Sequence, residues 1–144
     1  MALPRWFSPV ALVLVIVGGA VGVAARAALV LPFSAAGTHP LVVPAVTLVI
    51  NLAGSMLLGL LVGALDERMP RLRAFAGTGV MGGFTTYSAF AVHAVTTASA
   101  APVVGLALVA VSLFGGALAA AAGLALGRRA AGAPGVVEPP EAAE

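Results

Sequence analysis

The chain has 144 residues, of which 61% are hydrophobic and only 8% are charged, and its mean hydropathy is +1.13. This composition excludes a soluble globular domain of this size and indicates an integral membrane protein. The seven basic residues are all arginines spread along the chain, which does not resemble a nucleic-acid-binding surface. Because the chain has no cysteine, disulfides and thiolate metal sites are excluded.

Four apolar runs are long enough to cross a bilayer as helices, and none shows the period-two alternation of an outer-membrane barrel. The runs predict spans near residues 9–31, 42–65, 72–97 and 102–126. They form one transmembrane unit, residues 1–129, followed by a disordered tail over residues 130–144 that is rich in alanine, proline and glutamate.

The first span carries a packing motif and one charge. Gly18 and Gly22 form a G-x-x-x-G pattern, which lets another backbone approach closely. Arg26 lies about five residues inside the far end of this run, roughly 7 Å below it. It either snorkels toward the headgroups or places a positive charge at the mouth of an anion path.

The second span carries a polar stripe of Thr47, Asn51 and Ser55 at a spacing of four residues, which places them on one helical face. Asn51 falls near the middle of the bilayer, where an unpartnered amide is costly. Its amide is therefore interpreted either as a hydrogen-bonding link between helices or as an N–H donor to a dehydrated anion.

Arginine positions predict the topology. With four spans, the N-terminus, the loop near residues 66–73 and the C-terminus share one side of the membrane. That side holds six arginines and the other side holds none, so both termini are predicted to be cytoplasmic. These six are Arg5, Arg68, Arg71, Arg73, Arg128 and Arg129.

The third span contains glycines and hydroxyls in the middle of an apolar run. These residues weaken a helix and predict a break at Gly82–Thr86, which is either a ligand site or a packing device. Tyr87 and Phe90 share a face after the break, with Ser88 beside them and His93 one turn further on. Aromatic residues at this spacing either pack or present electropositive ring edges to an anion.

The fourth span has no charged residue and a ridge of small residues, which predicts a packing face. Its one hydroxyl, Ser112, is interpreted as bonded back to its own helix, with a functional role as the alternative. The ridge consists of Gly115, Ala119, Gly123 and Gly127.

The polar residues of the four spans include no Asp or Glu. A cation site or a proton-coupled transporter needs a carboxylate in the membrane, whereas an anion site needs hydrogen-bond donors. The remaining donors therefore point to a small anion. No nucleophile, base or metal-ligand cluster indicates an enzyme.

Four segments in order resemble the Fluc, or CrcB-type, fluoride channels. Residues 18–26 (GGAVGVAAR) are similar to the first-helix motif of that family, and residues 47–55 (TLVINLAGS) to the second. Residues 79–90 (GVMGGFTTYSAF) are similar to its most specific motif, and the glycine-rich fourth span ending at Arg128 also fits.

The resemblance implies a passive fluoride channel in the bacterial cell membrane, built as an antiparallel dimer of two inverted four-helix subunits with two narrow pathways along their interface. It implies that Asn51 hydrogen-bonds fluoride, that Tyr87 and Phe90 line the pathways, and that Arg26 lies at the vestibule. Hydroxyls would be added by Thr47, Ser88 and Ser112, and a structural Na⁺ would be held by the backbone carbonyls of Gly82 and Thr85.

Some positions depart from the family pattern. Tyr87 stands where phenylalanine is usual, Ala89 where a hydroxyl is common, and His93 where an acidic residue often follows. The one-sided arginines predict a single orientation in the membrane. This gives the hypothesis of a heterodimer with a partner whose arginines favour the opposite orientation. A homodimer is the alternative.

Two other functions remain as alternatives. A small-multidrug type of four-helix transporter has the same size but relies on a carboxylate in its first span, where this chain has Arg26. A non-conducting structural subunit would suit the small-residue ridges but leaves the buried donors unexplained.

Overall fold

The computed structural model describes residues 8–65 and 69–132, and all regular structure in these residues is helical. The helices are α1 (Pro9–Ala35), α2 (Val42–Ala64), α3 (residues 70–84), α4 (Tyr87–Ala100) and α5 (Pro102–Ala130). Both α3 and α5 contain a π-helical stretch, at Arg73–Met81 and Val111–Gly115 respectively. The predictions for Arg5, Arg68 and the tail beyond residue 132 fall outside the described residues.

Helix α1 runs four residues beyond its predicted end at residue 31. Ser8 caps its start, because the Ser8 hydroxyl accepts a hydrogen bond of 3.3 Å from the backbone N–H of Ala11. Pro32 lies inside the last turn, where it removes only one backbone donor. Two hydroxyls stabilise that turn: Ser34 donates to the carbonyl of Leu31 at 3.0 Å, and Thr38 donates to that of Phe33 at 2.9 Å.

Three helices, α1, α2 and α5, are long and apolar enough to cross a membrane, which confirms a helical membrane protein. Their apolar side chains mostly point away from the described chain. Val103 is 79% exposed and Leu118 is 71% exposed, while Ile50 and Ala94 are the only hydrophobic residues buried among the described side chains. Such a surface suits contact with lipid or with another apolar protein surface rather than with water.

Helices α1 and α3 pack through glycines at matching positions. A Cβ on Gly79 would lie 2.9 Å from the Cα of Gly18, and a Cβ on Gly22 would lie 2.7 Å from the backbone nitrogen of Phe84. The order of these contacts shows that the two helices run parallel. The predicted packing role of Gly18 and Gly22 is therefore confirmed.

Helices α2 and α5 pack in the same way over a longer stretch. A Cβ on Gly59 would lie 2.9 Å from the nitrogen of Leu124, and one on Gly123 would lie 2.9 Å from the nitrogen of Leu60. Gly63 and Gly127 continue the contact one turn further on. The predicted ridge on the last helix therefore packs against α2.

The chain breaks between α3 and α4 at Thr85 and Thr86, which are the last two residues of the predicted break Gly82–Thr86. Gly82 and Gly83 remain helical, and only Thr85 (φ −79°, ψ 158°) and Thr86 (φ −147°, ψ 120°) are extended. The prediction that the glycines unwind the helix was wrong. Gly83 instead allows close packing, because a Cβ there would lie 3.1 Å from the Cα of Gly19.

Candidate functional site

The break between α3 and α4 is held by the side chain of Asn51 on α2. The Asn51 Oδ1 accepts a hydrogen bond of 2.8 Å from the backbone N–H of Thr86, and the Asn51 Nδ2 donates one of 3.0 Å to the Thr86 carbonyl. Both bonds are partly buried. The amide thus pairs the free backbone of Thr86 as a neighbouring strand would, which satisfies groups that are costly to leave unpaired inside a membrane.

The hydroxyls of the break satisfy the adjacent helix ends. Thr85 Oγ1 donates to the carbonyl of Met81 at 2.9 Å, at the end of α3. Thr86 Oγ1 accepts from the backbone N–H of Ala89 at 3.3 Å and so caps the start of α4. Ser88 Oγ lies 3.3 Å from Thr86 Oγ1. The break is therefore a defined turn with specific partners.

One groove lies where α2, the break, α4 and α5 meet, and we call it the aromatic groove. It has a volume of about 240 Å³ and is lined by Asn51, Ser55, Tyr87, Phe90 and Ser112, together with Gly54, Leu58, Thr85, Thr86 and Leu113. The rings of Tyr87 and Phe90 are 5.9 Å apart at their centroids and tilted by 55°. Tyr87 is 79% exposed, so one wall of the groove is open.

Ser112 contributes a hydroxyl to the aromatic groove from the π-helical stretch of α5. Its Oγ is buried and has no hydrogen-bond partner within the described residues. The interpretation that Ser112 bonds back to its own helix is therefore wrong. A buried hydroxyl without a partner is unfavourable, and π-helical turns are often found at functional sites. The Ser112 hydroxyl therefore keeps an unused donor beside the groove.

A second cleft, the arginine cleft, lies between α1, α2 and α4. It has a volume of about 190 Å³, and its polar lining consists of Arg26, Thr47, Thr86 and His93. Thr47 is 4% exposed, whereas the other three are partly exposed. Because Thr86 lines both this cleft and the aromatic groove, the Asn51–Thr86 pair lies at the junction of the two.

The third and largest cleft, the α2–α3 cleft, has a volume of about 600 Å³. Gly82 and Thr85 line it, and a Cβ added to Gly82 would meet no atom within 4 Å. In a continuing helix the Thr86 N–H would bond the Gly82 carbonyl, but here it donates to Asn51 Oδ1. The Gly82 carbonyl therefore lacks its usual partner at the C-terminal end of α3.

The structure thus divides the predicted site residues. Asn51, Tyr87, Phe90 and Ser112 come together in the aromatic groove, and Arg26 and Thr47 line the neighbouring arginine cleft. Ser88 lies exposed beside Thr86 and lines none of these three clefts.

Two polar residues that line the arginine cleft, Thr86 and His93, were not among the predicted site residues. Thr86 is placed by a partner 35 positions away, which no local pattern reveals. His93 is a polar side chain in an apolar span, and this was a signal in the sequence.

Comparison with known proteins gives a consistent result. The CrcB-like protein family (Camphor Resistance, CrcB) matches residues 13–124. Three relatives, each called fluoride-specific ion channel FluC 2, are similar over most of their length. The Leifsonia xyli protein is 46% identical over 125 residues, covering 83% of this chain and 77% of the relative. The Bacillus subtilis protein is 42% identical over 120 residues (82% and 88%), and the Corynebacterium jeikeium protein 39% over 137 residues (83% and 79%).

Proposed function

The chain belongs to the CrcB-like family, and from this premise we propose that it is a subunit of a fluoride-specific ion channel rather than an enzyme. Fluoride would leave the cytoplasm passively. It enters cells as neutral HF in acid, ionises at cytoplasmic pH, and is driven out as the anion by roughly 2.3 kcal/mol per 100 mV of membrane potential. No nucleotide or coupling ion is required.

The observation that carries this proposal is the unpartnered hydroxyl of Ser112 in the aromatic groove. A pathway for a small, strongly hydrated anion must replace its water with hydrogen-bond donors. Asn51 has a second N–H on Nδ2 beyond the one given to Thr86, and the ring edges of Tyr87 and Phe90 add positive potential. These groups together form a donor-lined path.

The two helix ends at the break add electrostatic support. The N-terminal end of α4 carries partial positive charge near Tyr87, where it favours an anion. The C-terminal end of α3 carries partial negative charge near the Gly82 carbonyl, where it favours a cation. Broken helices in transporters use their two ends in this way.

A structural Na⁺ fits the end of α3. Gly82 and Thr85 would hold it through backbone carbonyls, which are the oxygen ligands that a hard cation takes. The ion would stabilise the unwound backbone and neutralise the helix end. Replacing sodium by the large cation N-methylglucamine is expected to lower the unfolding temperature and the efflux rate, whereas replacing chloride by gluconate in the same buffer should do neither.

One chain leaves the aromatic groove open, because Tyr87 is 79% exposed. We propose that a second, inverted subunit closes it and that α3 and α4 together form the third of four spans. Both termini would then be cytoplasmic, in a bacterial plasma membrane. The six arginines on one side favour a heterodimer, with a homodimer as the alternative.

The test is passive fluoride efflux from liposomes that contain the purified chain, with chloride as the control anion. We expect fluoride-selective efflux that Ser112→Ala reduces and that Ser99→Ala, a hydroxyl bonded at 3.0 Å to Val95, leaves unchanged. Efflux of both anions would contradict the proposed selectivity. If efflux appears only after co-expression with a chain whose arginines lie on the opposite side, the protein is half of a heterodimer. If efflux never appears, the protein is a structural subunit.

A further inference from the structure

The arginine cleft brings together two side chains that can carry positive charge from different helices, Arg26 of α1 and His93 of α4. The arginine is charged at every physiological pH, whereas a histidine gains its positive charge only as the pH falls. The rest of the lining is apolar and consists of Val23, Ala27, Val30, Leu31 and Ala89.

No described acidic side chain neutralises this cleft. Helix α4 packs against α5 and α2, and neither offers a titratable or charged residue over residues 102–127 or 42–64. On α1, Arg26 is the only such residue. His39 lies in the following loop, where its Nδ1 accepts a hydrogen bond of 3.3 Å from Leu41, and it does not line the cleft. A protonated His93 would therefore face one other charge, of the same sign.

Two hydroxyls complete the cleft. Thr47 is buried and lines the cleft from α2. Thr86 lies at the junction with the aromatic groove. A guanidinium, an imidazolium and a hydroxyl supply donors but no anionic acceptor, so a ligand that fits must bring its own negative charge.

We propose that Arg26 and His93 form a proton-dependent binding site for a small hard anion, placed beside the aromatic groove and connected to it at Thr86. The identity of the anion as fluoride rests on the proposed function. With both termini in the cytoplasm, the cleft opens toward the outside of the cell. Acidic surroundings, which drive HF into cells, would then add the second positive charge where fluoride leaves.

The expected effect is moderate. One added unit charge about 4 Å from an anion, in water-like surroundings, changes its affinity by roughly fivefold. We therefore expect fluoride to bind up to about fivefold more tightly at pH ~5.5 than at pH ~7.5, because acid favours the charged imidazole. Efflux at sub-saturating fluoride should rise in the same proportion.

The experiment measures fluoride in two ways with the full-length chain: as binding, through the fluoride-19 NMR line width, and as efflux from liposomes. His93→Gln should abolish the pH dependence, and His93→Lys should give tight binding at both pH values. His39→Gln is the matched control and should keep the wild-type pH dependence. The HF fraction is the same for all proteins at one pH, so it cancels in the comparison.

The outcomes separate this site from the proposed function. Binding that does not change with pH in the wild type, or a pH dependence that survives in His93→Gln, would overturn the proton-dependent site. If His93→Gln does not fold, loose binding at both pH values by His93→Lys would also overturn it. Binding that follows pH as expected, without efflux under any condition, would support the site and reject conduction by this chain alone.

Discussion

Gly82 and Gly83 are adjacent in the same helical turn, yet the structure predicts opposite effects for their replacement by alanine. A Cβ on Gly83 would meet the backbone of Gly19, with the Cα at 3.1 Å and the carbonyl carbon at 3.0 Å. Backbone atoms cannot rotate away as side chains do, so helices α1 and α3 must separate. A Cβ on Gly82 would meet nothing within 4 Å.

The magnitudes follow from these contacts. Overpacking costs about 1–3 kcal/mol, and the rigid backbone places Gly83→Ala near the upper end. Alanine regains about 1 kcal/mol of helix propensity at either position. We therefore expect Gly83→Ala to destabilise by roughly 2 kcal/mol and Gly82→Ala to stabilise by up to about 1 kcal/mol.

The assay is unfolding of each purified variant in mixed micelles with increasing SDS, followed by circular dichroism. Gly37→Ala, in the loop after α1, tests whether the method reports backbone strain, because Gly37 has φ of +59° and no neighbour within 4 Å of a Cβ. Equal shifts for Gly82→Ala and Gly83→Ala would refute the assignment of Gly83 to close helix packing.

Three further predictions concern the site and the second helix pair. Asn51→Ala removes both hydrogen bonds to Thr86 and should destabilise by about 1–3 kcal/mol in the same unfolding assay, whereas Ser55→Ala, one turn along the same stripe, should not. Equal midpoints would contradict the pairing. Tyr87→Phe keeps the ring beside Phe90 and should retain stability and fluoride efflux; loss of efflux would show that the hydroxyl takes part. Gly123→Ala inserts a Cβ against the backbone of α2 and should weaken packing by about 1–3 kcal/mol in SDS titration, and an unchanged midpoint would contradict the contact.

Hydropathy was sufficient to predict the three helices that are long and apolar enough to cross a membrane. The predicted start at residue 9 and the predicted range 42–65 agree closely with α1 and α2, and the last helix begins at Pro102 as predicted. The ends differ by a few residues because hydroxyl contacts prolong α1 past Pro32. Apolar composition reports membrane burial directly, but it does not report how a helix terminates.

The exact position of the break was not predictable, because glycine has two opposite uses. It weakens a helix, and it also lets two helices approach closely. The sequence shows Gly82 and Gly83 but not Gly19 of the neighbouring helix, and that neighbour decides between the two uses. Likewise, the local sequence of Ser112 suggested a bond to its own helix, while the structure leaves the hydroxyl buried and unpartnered.

Asn51 was interpreted either as a hydrogen-bonding link between helices or as a ligand for an ion. The structure shows that these two roles do not exclude each other. Its Oδ1 takes the Thr86 N–H that a continuing helix would give to the Gly82 carbonyl, so the same bond that holds the break also frees an acceptor for the proposed Na⁺. One N–H of its Nδ2 is given to Thr86, and the other remains for the aromatic groove. Under the proposed function, Asn51 would therefore support the cation and the anion at once.

The substitution Asn51→Asp distinguishes these roles. Its carboxylate still accepts from Thr86, so the freed Gly82 carbonyl and the sodium-dependent stability should persist. Fluoride efflux should be lost, because no N–H remains and a negative charge faces the anion. Loss of both together would show that the two roles cannot be separated in this way.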